Sequence, residues 1–458
     1  MSRRTRAALA LGGAITLAIA GATPVAAHGI GGRVDLPVPA WLFVWGAGAV
    51  VIVSFVALGV LWKEPRLEQR GAGRPLPRPL LAVFRSPVAE VAVRALSLAV
   101  FFAVVVSAAA GEDSAAANFA PVFVYVWFWV GLAFLHAAFG NLWATISPWD
   151  TLARLLGIGD RPRRPYPLAW GRWPAVALLL GFVWLELVYP AGASPRTLLV
   201  AMVGYTTVTL WGMYLFGRRP WTENGEAFAV YFDLLSRISP LARDPDGSVI
   251  LRPVLGGLPS VSPRPGLVAF VMVLIGSTTF DGFSSSNLWE SWTGALSPGV
   301  GTLAGTAGLL GSIAAVCLAY AVSMAAGGAI LRAPWHPLAV RFAHSLVPIA
   351  LAYATAHYFS LLVLEGQLGI KLASDPLGFG WNLLGTGGFV PNLALVSATT
   401  IWYVQVAAIV AGHVAGVVTA HDRSVALFPG RLGVRSQYAL LAVMVMFTVG
   451  GLILLSGA

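Results

Sequence analysis

The chain has 458 residues, of which 57% are hydrophobic and only 10% are charged, and its mean hydropathy is +0.78. This composition excludes an ordinary soluble domain and is typical of a polytopic membrane protein. The net charge of +10 is carried mostly by connections between apolar runs, so it does not predict nucleic-acid binding. The single cysteine, Cys317, excludes an intrachain disulfide and a cysteine-based metal site. Because Cys317 lies in an apolar run, we predict that it is a small buried side chain.

Residues 1–27 have the pattern of a signal peptide. Three arginines stand among the first six residues, an apolar run covers 7–22, and small residues precede a cleavage position after Ala27. Cleavage there makes His28 the first residue, and its free amine and imidazole together can chelate copper(II). The alternatives are cleavage at another position, or a His28 that is simply exposed.

Ten apolar runs near the spanning length of roughly 20 residues follow the signal peptide. They predict an all-α integral membrane protein with one polytopic domain over residues 28–458. The strong preference for arginine over lysine, with abundant Ala and Gly, indicates a GC-rich bacterial genome and hence the bacterial plasma membrane. We place the runs at about 41–62, 91–110, 121–145, 173–190, 197–217, 266–284, 303–328, 338–364, 397–420 and 437–456.

The distribution of positive charge predicts the orientation. If the mature N-terminus lies outside, the inner connections and the adjacent Arg341 hold 22 Lys and Arg, whereas the outer segments hold only Arg33, Arg196 and Lys371. This asymmetry follows the positive-inside rule, and with ten spans it also puts the C-terminus outside.

Two connections predict structure of their own. The inner one contains GEAFAVYFDLLSRI, in which apolar residues recur at helical spacing on one side and Glu226, Asp233 and Arg237 on another. This pattern predicts an amphipathic helix at about 222–239, lying in the inner interface or packed under the bundle. The outer connection at about 365–396 is rich in Gly, Pro and aromatic residues, which favours either a lid over the outer mouth or an ordinary loop with interfacial aromatics.

Four polar side chains fall roughly 5–10 Å to the outer side of their span centres, given the helical rise per residue. They are Glu186, Asp281, His357 and Gln405. In STTFDGFSSS, Ser277 and Thr278 share one helix side with Asp281. Carboxylates beside an imidazole act as acid and base or bind a divalent metal, so all four are candidate catalytic residues, and Asp281 and His357 are also candidate metal ligands. The alternatives are a structural hydrogen-bond network and, for Glu186, contact with lipid headgroups.

Three histidines, His136, His344 and His413, fall roughly 5–10 Å to the inner side of their span centres. Imidazoles bind zinc or copper, or haem where two face each other, so these are candidate cofactor ligands. Pro348 cannot donate to the carbonyl of His344, which predicts a kink in the eighth span and a free carbonyl at His344. His344 and His357 are roughly 20 Å apart along this helix and therefore belong to different layers.

The ninth span carries two further patterns. Gly412 and Gly416 form a small-xxx-small pair, which lets another helix approach closely. His421, Asp422 and Arg423 fall at the membrane edge, where we expect a solvated helix end.

Six stretches carry a family resemblance: AHGIGGRVDLPVPAWLFVWGAG, FGNLWATISPW, TTFDGFS, FAHSLVPIALAYATAHYFSLL, SDPLGFGW and GHVAGVVTAHDR. Together they resemble a family of actinobacterial integral membrane proteins whose members often carry the name fenitrothion hydrolase. The similarity extends from His28 to about Arg423, and the histidine-containing stretches are its most specific part. The resemblance implies a multispanning membrane fold and hydrolysis of an organophosphate triester.

The sequence leaves several functions open. One is a metal-assisted hydrolase of lipophilic phosphotriesters, in which Asp281, His357 and Glu186 hold a divalent cation that polarises a phosphoryl oxygen. Another is a transporter for a small solute, a proton or a metal ion that uses the same residues as its path. A third is a haem or copper protein built on the inner histidines and His28, and a structural or assembly role is the last.

The partners follow from composition and motifs. Walker, dinucleotide-binding, zinc-protease and nucleophile-elbow motifs are absent from the sequence. We therefore expect the bilayer and a small lipophilic or ionic substrate as partners, and no nucleic acid.

Overall fold

The computed structural model describes residues 40–68, 73–76, 86–243, 248–428 and 430–457. In these residues nine helical segments are long and apolar enough to cross a membrane, and the strands are few and short. The predicted all-α, multi-pass membrane fold is therefore confirmed. The predicted signal peptide and His28 lie outside the described residues.

The elements are numbered here in chain order. They are α1 (Ala40–Leu61), β1 (Arg74–Pro75), α2 (Pro87–Ala110), α3 (Phe119–Phe139), α4 (Trp143–Ile146), α5 (Pro148–Leu155), α6 (Trp173–Leu187), α7 (Pro195–Phe216), α8 (Arg218–Asn224), α9 (Ala227–Ser236), β2 (Leu241–Arg243), β3 (Val249–Leu251), α10 (Leu267–Ser284), α11 (Asn287–Thr293), α12 (Pro298–Leu331), α13 (Trp335–Phe342), α14 (Val347–Ser360), α15 (Gly366–Ser374), α16 (Ala398–Leu427), α17 (Arg431–Ser436) and α18 (Tyr438–Gly457). The helices α13, α14 and α15 follow one another as a single span, as do α17 and α18.

Nine of the ten predicted spans form helices of spanning length within the described residues. The exception is the fourth predicted span, whose helix, α6, is shorter. It has 15 residues, which corresponds to about 22 Å. At its start the Arg172 N–H donates to the carbonyl of Pro265 at 2.7 Å, and beyond its end the Tyr125 hydroxyl donates to the carbonyl of Gly192 at 2.8 Å. The segment therefore still connects one end of the bundle to the other.

The basic connections meet at one end of the bundle, which we call the inner end after the charge pattern. There β1, β3 and β2 form a small antiparallel sheet in that order, which joins the connection after α1 to the one after α9. Asp150 pairs with Arg94, Arg154 and Arg218 at 2.7–2.9 Å in the same region. Burial alone would raise the pKa of Asp150, but the hydrogen bond and charge of Arg154, helped by the other two guanidinium groups, hold it below its ordinary value.

The expected solvated helix end at His421, Asp422 and Arg423 is wrong. Asp422 is only 1% exposed, and its carboxylate accepts hydrogen bonds from the Trp62 indole at 2.8 Å and from three successive backbone N–H groups that begin at Arg66. Hydropathy could not reveal this contact, because the segment that buries Asp422 is 354–360 residues away in sequence.

The predicted amphipathic helix at 222–239 is two helices, α8 and α9, and α9 lies inside the bundle. Every residue of α9 except Asp233 is buried. Glu226 caps its first turn by accepting from the N–H groups of Phe228 and Ala229 at 2.9 and 2.8 Å. The same carboxylate accepts from the hydroxyl of Tyr205 and the indole of Trp143, so the buried charge has four donors. The prediction that this helix lies in the membrane interface is therefore wrong, and the alternative, that it packs against the bundle, is confirmed.

The α-helix of the eighth span is interrupted just before Pro348, and the kink itself stays a prediction. A 3-10 turn at Ala343–Leu346 separates α13 from α14, and Pro348 lies in the first turn of α14, where its missing N–H costs nothing. The prediction of a free carbonyl is wrong, because the His344 carbonyl accepts from the N–H of Val347.

The close approach predicted for the two ninth-span glycines is also confirmed. A Cβ at Gly412 would lie 2.1 Å from the Cβ of Ala352, and one at Gly416 would lie 3.1 Å from the Ser345 carbonyl oxygen. The antiparallel helices α14 and α16 therefore pack backbone against backbone along this seam.

The prediction that Cys317 is buried is wrong. Its side chain is exposed on α12. On a spanning helix an outward side chain meets hydrocarbon, so an apolar sequence environment does not distinguish the outside of the bundle from its core.

The outer connection begins at Asp375, because α15 continues to Ser374. Its described hydrogen bonds are internal or reach α15, for example from Thr386 to the carbonyl of Ile370 and from Gln367 to Asn392. The lid and the ordinary loop therefore both stay predictions for this connection.

Candidate functional site

The candidate site is a cluster of polar side chains where α10 meets α14. The Asp281 Oδ2 atom lies 2.8 Å from the Nε2 atom of His357 and also accepts a hydrogen bond of 2.8 Å from the hydroxyl of Tyr358. The predicted association of Asp281 with His357 is thus a direct contact. Tyr358 was absent from the predicted set, although a tyrosine beside a candidate histidine inside a span also needs a polar partner.

The geometry of α10 places the carboxylate. Thr278 stands one turn before Asp281 and bonds back to the carbonyl of Leu274 at 3.1 Å. Beside it Tyr231, Thr278 and Tyr358 line a cavity of about 10 Å³, which is close to the space that one water molecule needs. Trp129, in the middle of α3, lines the same cavity, so the cluster lies deep in the bundle.

Glu186 belongs to the surroundings of this cluster. It comes from α6 and lies within electrostatic range of both Asp281 and Tyr358. Its Oε2 atom is buried and has no hydrogen-bond partner in the described part of the chain. Two carboxyl groups in an apolar interior repel each other when both are charged.

Gln405 lies on the facing helix α16. Gly412 packs between Pro348 and Ala352, and the same antiparallel register, continued by two turns, puts Gln405 level with His357. Its Oε1 atom is buried without a hydrogen-bond partner among the described residues. Gln405 therefore shares the level of the cluster without a direct bond to it.

Serine hydroxyl groups follow Asp281 at the end of α10. Ser284 and Ser285 donate to the backbone carbonyl of Asp281 at 2.9 and 3.1 Å, and Ser286 donates to that of Phe283. The side chains of His357 and Asp281 are 24% and 19% exposed. The two side chains are therefore partly accessible, and serine hydroxyls follow Asp281 at the end of α10.

The three inner histidines differ from one another. His136 Nδ1 is 2.6 Å from the Leu132 carbonyl, its Nε2 accepts from the N–H of Trp143, and its ring stacks on Phe232 at 4.2 Å. Both ring nitrogens are thus occupied by protein groups, which leaves no lone pair for a cofactor.

His344 and His413 have one occupied nitrogen each. Their Nδ1 atoms lie 2.9 Å from the carbonyls of Arg341 and Ile409, and their buried Nε2 atoms have no partner within the described residues. A carbonyl at Nδ1 fixes the proton there, so each neutral ring presents an Nε2 lone pair to the interior. The ring of Tyr353 lies 5.7 Å from that of His413.

The predicted metal centre lacks a full set of ligands. In the ranges the structure describes, no three His, Cys, Asp or Glu side chains are grouped so that they could hold a metal ion. Asp281 and His357 alone supply two protein ligands, one fewer than a catalytic zinc site uses.

A separate apolar cleft lies between α2, α3, α6 and α7. Its volume is about 500 Å³, within the range of small-molecule sites. Leu185 lines it and directly precedes Glu186, while Tyr205 lines it near the inner end. The cleft therefore reaches α6 one residue from Glu186, and Asp281 is not among the residues that line it.

Comparisons with known proteins found no matching family model, no matching curated protein and no matching solved structure.

Proposed function

We propose that the protein is a transporter of the bacterial plasma membrane that moves protons through its bundle, alone or with a small solute. The observation that carries this proposal is the Asp281 Oδ2 atom shared by His357 and Tyr358 inside the membrane. Ionisable groups at such depth are costly, and where they occur they typically form proton or ion pathways. In this account Asp281 is the proton-binding residue.

The chemistry of the cluster suits reversible proton binding. An aspartate that accepts a hydrogen bond from a phenol and lies 2.8 Å from an imidazole nitrogen can exchange a proton with that imidazole without large movement, since the three groups meet at one oxygen atom. Glu186 nearby limits the number of charges that the cluster holds at once. The partial exposure of the His357 and Asp281 side chains gives protons access to the cluster.

The inner histidines extend the route. Tyr353 stands one helical turn before His357 and lies beside His413, and His344 follows nearer the inner end. The Nε2 atoms of His413 and His344 are buried acceptors with fixed tautomers. Such acceptors support proton transfer along α14 and α16, with water bridging the longer steps.

Proton flux into proteoliposomes tests this function. We expect the lumen of liposomes that contain the purified protein to become more acidic when the proton concentration is set higher outside and the membrane potential is clamped. A pH-sensitive dye trapped in the lumen reads this change. Asp281→Asn should abolish the protein-dependent flux, and Glu290→Gln, which changes an exposed acid on α11, should retain it. A wild-type protein that moves no protons, or an Asp281→Asn variant that moves them normally, would contradict the proposal.

A second candidate is hydrolysis of a neutral phosphotriester, favoured by the apolar cleft and by the family resemblance of the sequence. There the pair of Asp281 and His357 would take a proton from water, whose oxygen would bond to phosphorus. The bond to the aryloxide would then break, and the leaving group would take up the proton.

Release of a phenol from an aryl phosphotriester by purified protein in detergent separates the two functions. Turnover that is lost in Asp281→Asn, in a protein without proton flux, would support the hydrolase. No turnover above that of empty detergent would exclude it.

A further inference from the structure

Two arginines, Arg237 and Arg264, lie within electrostatic range of Arg172 at the start of α6, at the inner end. Arg172 is the residue before the helix and is only 6% exposed. Its backbone N–H donates to the carbonyl of Pro265, which places it directly beside Arg264. This cluster plays no part in the proposed proton route.

Two of the three guanidinium groups have protein partners. Arg237 pairs with Asp233 at 2.8 Å and donates to the hydroxyl of Ser260 at 3.0 Å. Arg264 donates to the side-chain oxygen of Asn224 at 2.7 Å and lies 3.9 Å from Glu223.

Arg172 has no such partner. Its Nε and Nη1 atoms are buried, and no hydrogen bond reaches its side chain from the residues that the structure describes. Burial lowers the pKa of Arg172 to about 10, so the group remains a cation at neutral pH. A buried cation without a counter-charge is strongly destabilising, and here three arginines face only two carboxylates, Asp233 and Glu223. The cluster therefore has an excess positive charge located on a buried, forked donor.

The surroundings point to a ligand at the level of the lipid headgroups. Leu168, Trp170 and Trp173 flank Arg172 in sequence and are 84%, 48% and 53% exposed. Exposed tryptophans are typical of the membrane interface, and basic pockets between spanning helices on the inner side bind anionic headgroups. Guanidinium groups bind phosphate oxygens through paired N–H donors.

We propose that Arg172, assisted by Arg237 and Arg264, binds a phosphate oxyanion at the inner end, supplied by an anionic lipid headgroup or by free phosphate. The proposal does not depend on the function proposed above. Each of the two assisting arginines already has a carboxylate partner, so the largest share of the binding falls to Arg172.

Binding is measured on purified full-length protein in two arms. In the first, native mass spectrometry counts phosphatidylglycerol molecules retained from vesicles that contain both phosphatidylglycerol and phosphatidylcholine. In the second, the thermal midpoint of detergent-solubilised protein is followed while inorganic phosphate is added at constant ionic strength. A response in the lipid arm alone identifies the headgroup, and a response in the phosphate arm identifies the free anion.

We expect Arg172→Gln to weaken the response by about tenfold or more, since charge-assisted hydrogen bonds are lost. Arg264→Gln, at a partly exposed position, should weaken the response several-fold. This second variant keeps the proposal testable if Arg172→Gln does not fold. Arg435→Gln removes an exposed arginine from α17 and should leave the response unchanged. Wild-type protein without a response in either arm, or equal responses in Arg172→Gln and Arg435→Gln, would overturn the proposal.

Discussion

Replacement of Asp422 by alanine provides a quantitative test of how the inner end is held together. The wild-type carboxylate is 1% exposed and accepts four hydrogen bonds, from the Trp62 indole and from the N–H groups of Arg66, Leu67 and Glu68, at 2.6–3.1 Å. A hydrogen bond to a charged group contributes about 1.5–3 kcal/mol, and contributions within one network are not additive. Because all four donors lose their partner together, we expect Asp422→Ala to lower the free energy of unfolding by about 3–5 kcal/mol.

Two measurements check this expectation. Tryptophan fluorescence during denaturant titration in mixed micelles gives the free energy of unfolding. Hydrogen exchange gives the protection of the amides of residues 66–68, which should fall sharply in the variant. Asp422→Asn keeps one acceptor oxygen and should give an intermediate loss.

The control is Asp113→Ala. Its carboxylate is 72% exposed and, among the described residues, pairs with Arg196 alone, which is 79% exposed, so the loss should stay below about 1 kcal/mol. If Asp422→Ala is no more destabilising than this control, and exchange at residues 66–68 is unchanged, the assignment of Asp422 as the anchor of the connection after α1 is refuted.

Two further predictions concern packing and charge. Gly412→Val should lower the thermal midpoint through overpacking that costs about 1–3 kcal/mol, because a Cβ there would lie 2.1 Å from an α14 side-chain carbon. Gly204→Ala, where the added Cβ meets nothing within 4 Å, should be neutral or slightly stabilising. Asp150→Asn should cost about 1.5–3 kcal/mol, because Arg94 and Arg218, both nearly buried, each lose the less exposed of their two carboxylate partners and retain Glu90 and Asp160. Since the folded-state pKa of Asp150 is below the ordinary value of 3.8, its contribution to stability should be present above that pH and decline as the pH falls below it, as thermal scans at several pH values would test.

The membrane fold was predictable because the bilayer allows few choices. Backbone polar groups in hydrocarbon must pair within their own segment, so long apolar runs become helices, and the loops report the orientation by charge. The sequence predicted that Asp281 and His357 lie at the same depth in the membrane, because the helical rise per residue puts both in one layer. It did not predict that they are in contact. Which helices become neighbours depends on packing between distant segments, so Tyr358 was missed.

Burial was the least predictable property. Asp422 and Cys317 were assigned from local hydropathy, and both assignments were wrong. In a membrane protein apolar sequence marks both the core and the lipid surface, whereas a polar helix end can be buried by a remote connection. Glu226 had a usable local signal, because a glutamate directly before an apolar helix is a cap position.

The central claim is that Asp281 takes up and releases a proton where its carboxylate contacts His357 and Tyr358. Infrared difference spectroscopy of the reconstituted protein during a pH titration measures this directly, through the carbonyl stretch of a protonated carboxyl group. The account predicts a titrating carboxyl band that disappears in Asp281→Asn and shifts in frequency in Tyr358→Phe, which removes one hydrogen bond to Oδ2. A spectrum without a titrating carboxyl band, or with a band that both variants leave unchanged, would contradict it.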